Sequence, residues 1–146
     1  MMNFENENGT MCVKAENYYN NISDYAERYN LENTKIALDL AIKLHDGQFR
    51  DGGAPYIIHP LEATNYLILL GIWSPIYKME LDSSHDESLA KEIAYKDLDV
   101  LLASMLLHDT LEDCKEKLPD GGNEFTTEYH LYDDVLSFVQ ALTKNK

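Results

Sequence analysis

Residues 98–107, Leu-Asp-Val-Leu-Leu-Ala-Ser-Met-Leu-Leu, constrain this chain more than any other stretch, because they run directly into His108-Asp109-Thr110-Leu111-Glu112-Asp113. Leucine and alanine dominate the run, and neither glycine nor proline interrupts it. The pattern predicts a helix buried nearly all round. Charged groups beside such a helix are costly to bury unless they are paired or bind a metal. Four of the six residues from His108 to Asp113 are able to ligate a metal or exchange a proton. If the helix continues, His108 lies one turn from Glu112 and Asp109 one turn from Asp113, on adjacent stripes of one face. A lone His-Asp pair is common and carries little meaning. The fuller His-Asp-x-x-Glu-Asp after an oily helix is rarer, although a solvated helix end also produces it.

The remaining elements read as helices as well. Residues 1–17 are polar and Asn-rich and predict a flexible tail, with a first helix over about 18–29. Ile36, Ala37, Leu40, Ala41 and Leu44 recur at helical spacing behind Asn33 or Thr34 as a cap, and the helix stops near Asp46-Gly47. Arg50-Asp51-Gly52-Gly53-Ala54-Pro55 is a tight loop. Pro60 suits the first turn of a third helix that ends at Gly71. Pro75 predicts a break, residues 83–87 a polar loop, and residues 87–95 a short helix. After a turn at residues 119–122 and a short element from Phe125, Asp133 or Asp134 opens a last helix. It carries Val135, Phe138, Val139 and Leu142 on one face. No strand pattern and no internal repeat is visible, so the expected class is all-α, one domain over residues 18–146.

Composition narrows the function. The 146 residues are 45% hydrophobic, enough for one cored domain. The net charge of −14 repels nucleic-acid backbones, so no nucleic-acid partner is expected. No apolar run approaches the roughly 18 residues of a membrane span. No secretory signal is visible, and the expected location is cytoplasmic. Cys12 and Cys114 lack metal or framework spacing and read as free thiols.

A metal needs more donors than His108 and Asp109. His59 is the best further candidate, because it follows the rigid loop and precedes Pro60. Imidazole with carboxylate oxygen suits manganese, iron or zinc better than calcium. Glu112 or Asp113 would relay a proton. His45 reads as a helix-end residue whose charge complements the C-terminal dipole. His85 and His130 lie in polar stretches and read as exposed. Arg50 is either a surface residue or a base-contacting group.

Three blocks carry a family resemblance. His45-Asp-Gly-Gln48-Phe-Arg50 followed by Gly53-Ala-Pro55-Tyr56-Ile-Ile-His59-Pro60-Leu61 resembles the opening motif of the RelA/SpoT hydrolase domain. Ala103-Ser-Met-Leu-Leu-His108-Asp109-Thr-Leu-Glu112-Asp113 resembles its HD motif, and Val139-Gln-Ala-Leu142-Thr143-Lys144 the stretch that follows. The small alarmone hydrolases share these blocks, which here span residues 36–144. The resemblance implies an all-helical HD-domain bundle that removes pyrophosphate from the 3′ position of ppGpp or pppGpp with manganese. It implies His59, His108 and Asp109 as metal ligands and Glu112 and Asp113 as the catalytic carboxylates. It implies Arg50 as the group packing on guanine, which suits a planar guanidinium. Asp51, Gly52 and Tyr56 complete the expected substrate-binding set.

Three departures qualify what is implied. The family loop usually reads Arg-Lys-Ser-Gly, whereas this one reads Arg50-Asp51-Gly52-Gly53. An acid therefore replaces a cation beside an anionic substrate, which opens the alternative of another nucleotide. Residues 77–96 read as an insertion over the pocket. The family also supplies a fourth ligand, an aspartate in a later motif resembling Asp-Arg-Leu-His-Asn, and no such motif occurs in these 146 residues. The expectation is a bundle incomplete at its C-terminal side, completed by the remainder of a longer protein or by a homodimer. A non-catalytic domain binding a nucleotide or a partner is the further alternative.

Overall fold

The carboxylate of Asp86 accepts a hydrogen bond from the Leu89 amide at 3.1 Å and so starts a 21-residue helix, Glu87–Leu107. The apolar run is the second half of this helix and not a separate one. Ala90, Ala94, Leu98 and Leu102 recur every fourth residue and are fully buried, while Lys91, Glu92 and Lys96 face solvent. The computed structural model describes residues 4–143. In chain order the helices are α1 (Val13–Arg28), α2 (Glu32–Leu44), α3 (Ile58–Leu69), α4 (Trp73–Ser84) and the long α5. They continue as α6 (Thr110–Asp113), α7 (Glu124–Thr127) and α8 (Asp133–Leu142), with a single 3-10 turn, Lys115–Lys117, after α6. Among the described residues there is no strand, only two isolated bridges, Glu5 with Met11 and Phe49 with Pro55. The all-α class is as expected. No helix among the described residues is long and apolar enough to cross a membrane.

The core wraps α5. One apolar cluster joins α1, α2, α3, α5, α7 and α8 through residues such as Ile22, Ala41, Leu61, Leu106, Phe125 and Val135, each fully buried. Fully burying a side chain of this size stabilises the fold by about 1.5–3 kcal/mol relative to leaving it exposed. A second cluster sets Ala26, Leu31, Leu98 and Leu102 against Trp73, Ile76 and Tyr95. Residues 77–96 therefore form part of a helical hairpin of α4 on α5. Pro75 does not break α4, because it stands in the first turn, where backbone N–H groups have no intrahelical partner.

Two local expectations change. Helix α1 begins at Val13, not near Tyr18, and residues 4–12 are tied down rather than frayed. The Asn6 amide donates to Thr10 O at 2.7 Å, the Glu7 amide donates to Gly53 O at 2.7 Å, and Phe4 and Cys12 enter the core. On α8, Val135 and Val139 are buried, but Phe138 and Leu142 remain 48% and 47% exposed. Lys144, in the last block of the resemblance, lies outside the described residues.

Helix α2 is capped from a distance. The Asp99 carboxylate, on α5, accepts from the Asn33 amide at 3.0 Å and from the Thr34 amide at 2.7 Å. The Asn33 and Thr34 side chains add further donors to it at 3.1 and 2.8 Å. Neither Asn33 nor Thr34 is itself the cap, which is Leu31 by position. This buried clamp locks α2 onto α5 and holds their far ends, which bear the candidate site, in one frame.

Candidate metal centre

The loop after α2 folds back on itself. The Arg50 amide donates to Ala54 O, the Gly53 amide to Arg50 O, both at 2.8 Å, and the Tyr56 amide to Gln48 O at 2.9 Å. Gly53 turns the chain at φ +88°, a left-handed conformation that glycine adopts without a Cβ penalty. The loop delivers Tyr56 and then His59, the second residue of α3, with Pro60 buried behind it. From the opposite side, α5 ends at Leu107 and the chain makes one further turn at His108 and Asp109 before α6. The helix is thus interrupted where it was expected to continue. The one-turn relation of Asp109 to Asp113 survives, because the Asp113 amide donates to Asp109 O at 2.9 Å.

These two segments bring His59, His108 and Asp109 together, with one potential ligand atom of each within 4.8 Å of the others. Asp109 Oδ2 lies 3.4 Å from His59 Nε2 and 3.2 Å from His108 Nε2. The imidazole rings of His59 and His108 meet edge to face at 5.3 Å. His108 Nδ1 is 2.6 Å from Met105 O. A carbonyl only accepts, so the proton sits on Nδ1, and the unprotonated Nε2 of the neutral ring is left for a metal. Two imidazole nitrogens and a carboxylate oxygen, all partly buried, fit a borderline divalent cation. The donor set alone does not choose among manganese, iron and zinc.

Burial opposes the charge on Asp109. Hydrogen bonds from His108 and Tyr56, and the nearby histidines, overcome that opposition and bring its carboxyl down to about 2. Burial also acts against protonation of His108, but the Asp109 carboxylate and the Met105 carbonyl outweigh it and raise the histidine above its ordinary value. The metal-free site is therefore organised around the Asp109 carboxylate.

Tyr56 belongs to the expected substrate-binding set, and its hydroxyl donates to Asp109 Oδ2 at 2.8 Å. Burial first, and then the carboxylates of Asp109 and Asp113, raise its phenol well above the usual range, so it stays a donor. His45 caps α2 at 2% exposure, and burial lowers its pKa. It is a neutral ring, not the charged complement to the helix dipole that its position suggested. His45 Nδ1 donates to Gln48 Oε1 at 2.8 Å, and Gln48 Nε2 donates to Asp113 O at 2.8 Å, so the end of α2 is wired to α6. Gln48 was quoted in the motif without a role, and only the fold reveals one. Cys114 and Cys12 are free and buried, and burial pushes the Cys114 thiol up to about 11. His85 and His130 are exposed, as expected.

The other expected residues are less closely gathered. Glu112 is half-buried and Asp113 exposed, and neither belongs to the metal-capable group. Arg50 is exposed, and its guanidinium makes no hydrogen bond or ion pair among the described residues. Asp51 and Gly52 line a different cleft, shared with Asn6, Glu7 and Asn8 of the N-terminal turn.

Comparison with known proteins gives distant relatives. The chain is 29% identical, over 115 residues, to a guanosine-3′,5′-bis(diphosphate) 3′-pyrophosphohydrolase of Borreliella burgdorferi, matching 70% of this chain and 17% of that protein. It is 32% identical, over 113 residues, to a probable GTP pyrophosphokinase of Mycobacterium leprae, matching 77% of this chain and 11% of that protein. The match thus spans less than a fifth of either relative's length. No family model matches the chain. No solved structure matches it either. The similarity agrees with the resemblance to the RelA/SpoT hydrolase region carried by the three motif blocks.

Proposed function

We propose that the chain is a metal-dependent phosphohydrolase of the guanosine-3′,5′-bis(diphosphate) 3′-pyrophosphohydrolase type, releasing pyrophosphate from ppGpp or pppGpp. The observation that carries this reading is the convergence of His59 Nε2, His108 Nε2 and Asp109 Oδ2 from two segments far apart in sequence. The similarity to a named pyrophosphohydrolase supports the substrate class. A divalent cation, manganese by the resemblance, supplies charge against phosphate oxygens and lowers the pKa of water when bound.

The chain's own residues do the rest. The Met105 carbonyl orients the His108 ring. Tyr56 holds the carboxylate of Asp109 by its hydroxyl. Glu112 and Asp113, one turn beyond the His-Asp pair, are the acceptors of the proton that leaves the attacking water. Arg50, exposed and without a hydrogen-bond or ion-pair partner among the described residues, is available to an incoming base.

A specific feature favours a second reading. Asp51 puts a carboxylate in the loop where the resemblance leads one to expect a lysine, so another nucleotide phosphate is the competing substrate. The test is a substrate panel with manganese, reading pyrophosphate and phosphate. Pyrophosphate from ppGpp, abolished by chelator and by His108→Ala, is expected. Release only from a different nucleotide favours the second reading. No release from any nucleotide, with manganese bound at the three residues, defeats both.

A further inference from the structure

We propose that Gln48 is a positioning residue, whose side chain closes a ring of hydrogen bonds and so fixes the Asp113 end of α6 against the metal-capable triad. The inference rests on the hydrolase reading and deepens it, by naming the group that sets the proton acceptor rather than the metal. The ring starts at the Tyr56 amide, which donates to Gln48 O at 2.9 Å. The Tyr56 hydroxyl donates to Asp109 Oδ2 at 2.8 Å. The Asp113 amide donates to Asp109 O at 2.9 Å. Gln48 Nε2 then donates to Asp113 O at 2.8 Å and returns the ring to its start. The turn after α2, the entry to α3 and the end of α6 all meet in it.

Helix α6 needs such a tether. It spans four residues, Thr110–Asp113. A single turn fixes many backbone torsions for few hydrogen bonds, so it does not hold itself in place. Its start is anchored, because the Thr110 hydroxyl donates to Leu107 O at 2.7 Å. Its end is held from across the site. The Cys114 thiol meets Leu44 O at 3.3 Å, but a thiol is a weak donor. Gln48 supplies the stronger link, an amide N–H on a carbonyl. That amide is itself aimed, since the buried His45 ring donates from Nδ1 to Gln48 Oε1 at 2.8 Å. With its oxygen so occupied, Gln48 turns its nitrogen to Asp113.

The triad has separate supports. Tyr56 holds the Asp109 carboxylate, and the Met105 carbonyl holds the His108 ring. Breaking the Gln48 link therefore frees the end of α6 and leaves the ligands in place. Misplacing a reacting group by about 1 Å is enough to lower a rate by about a hundredfold.

The experiment uses the full chain with Gln48→Met and Gln48→Glu, each checked for folding by its thermal melt. The first removes both amide bonds. The second keeps the acceptor for His45 and removes the donor to Asp113. Both are expected to lower kcat by about 10–100-fold on the nucleotide that the wild type hydrolyses, with KM and manganese affinity as in the wild type. Hydrogen exchange of the Asp113 and Cys114 amides, which close the turn of α6, is expected to quicken by about 2–10-fold in either variant. An unchanged kcat overturns the proposal. A parallel loss of manganese affinity also overturns it, because Gln48 would then support the triad itself. Unchanged exchange overturns the tether at any level of activity. A wild type that hydrolyses no nucleotide, with exchange quickened in the variants, defeats the hydrolase reading and leaves the tether standing.

Discussion

Replacing Tyr56 by phenylalanine removes one hydroxyl and leaves the ring, which packs 4.8 Å from His45 and 6.0 Å from His59. The lost contact is a 2.8 Å hydrogen bond to the Asp109 oxygen that faces both histidines. Hydrogen bonds to a charged acceptor contribute about 1.5–3 kcal/mol. Two effects then compete. Without the phenol the carboxylate is more basic, which favours a cation. It is also free to rotate, and loss of such an orienting partner typically lowers metal affinity by about 10–100-fold. Charge state does not decide the matter. Asp109 stands at about 2, so losing one donor leaves it ionised at neutral pH. Orientation therefore wins, and Tyr56→Phe is expected to weaken manganese binding by about 10–100-fold, equivalent to roughly 1.4–2.7 kcal/mol. Calorimetric titration of wild type and variant reads the change, and thermal melts in chelator show that the fold is intact. Equal affinity in a folded variant would refute the assignment of Tyr56 as the residue that positions Asp109.

Metal affinity is expected to fall as pH drops through the raised pKa of His108, because the cation must displace its proton, at about tenfold per pH unit for one proton. Calorimetry between pH 6 and 9 checks this. The sign reverses for the metal-free fold. A raised histidine contributes stability that is complete below its unfolded value of about 6.5 and is lost as pH rises through its folded value, so melting in chelator should fall over that window. Asp99→Ala strips the acceptor from the Asn33 and Thr34 amides and side chains, and should cost about 3 kcal/mol in urea denaturation. Gly122→Ala would set a Cβ 2.7 Å from Leu111 Cδ2 and 2.8 Å from Leu136 Cδ1 at φ +102°, and should cost about 2–3 kcal/mol by the same assay.

What the sequence reveals and what it hides divide along physical lines. Helices α2, α3 and α8 follow from apolar spacing and from punctuation by Gly47, Pro60 and Asp133, all local signals. The long α5 was divided in two because Ala90 and Ala94 are too small to mark a stripe, although both are fully buried. The Asp99 clamp on α2 and the docking of Phe4 depend on residues distant in the chain, which no local pattern encodes. His45 had the wrong charge because a histidine at a helix end is ordinarily solvated, whereas this one is buried. The convergence of His59 with His108 and Asp109 was expected from donor chemistry and motif resemblance. The Tyr56–Asp109 bond was not, because a tyrosine directly after a loop gives no hint of which carboxylate it meets.

The most direct test is the anomalous scattering of manganese in crystals of the full chain. The account predicts a single strong peak bonded at once to His59 Nε2, His108 Nε2 and the Asp109 carboxylate, and its loss in His59→Ala. A manganese peak held by other residues, or one that touches the His108-Asp109 pair while His59 stays unbound, would contradict it.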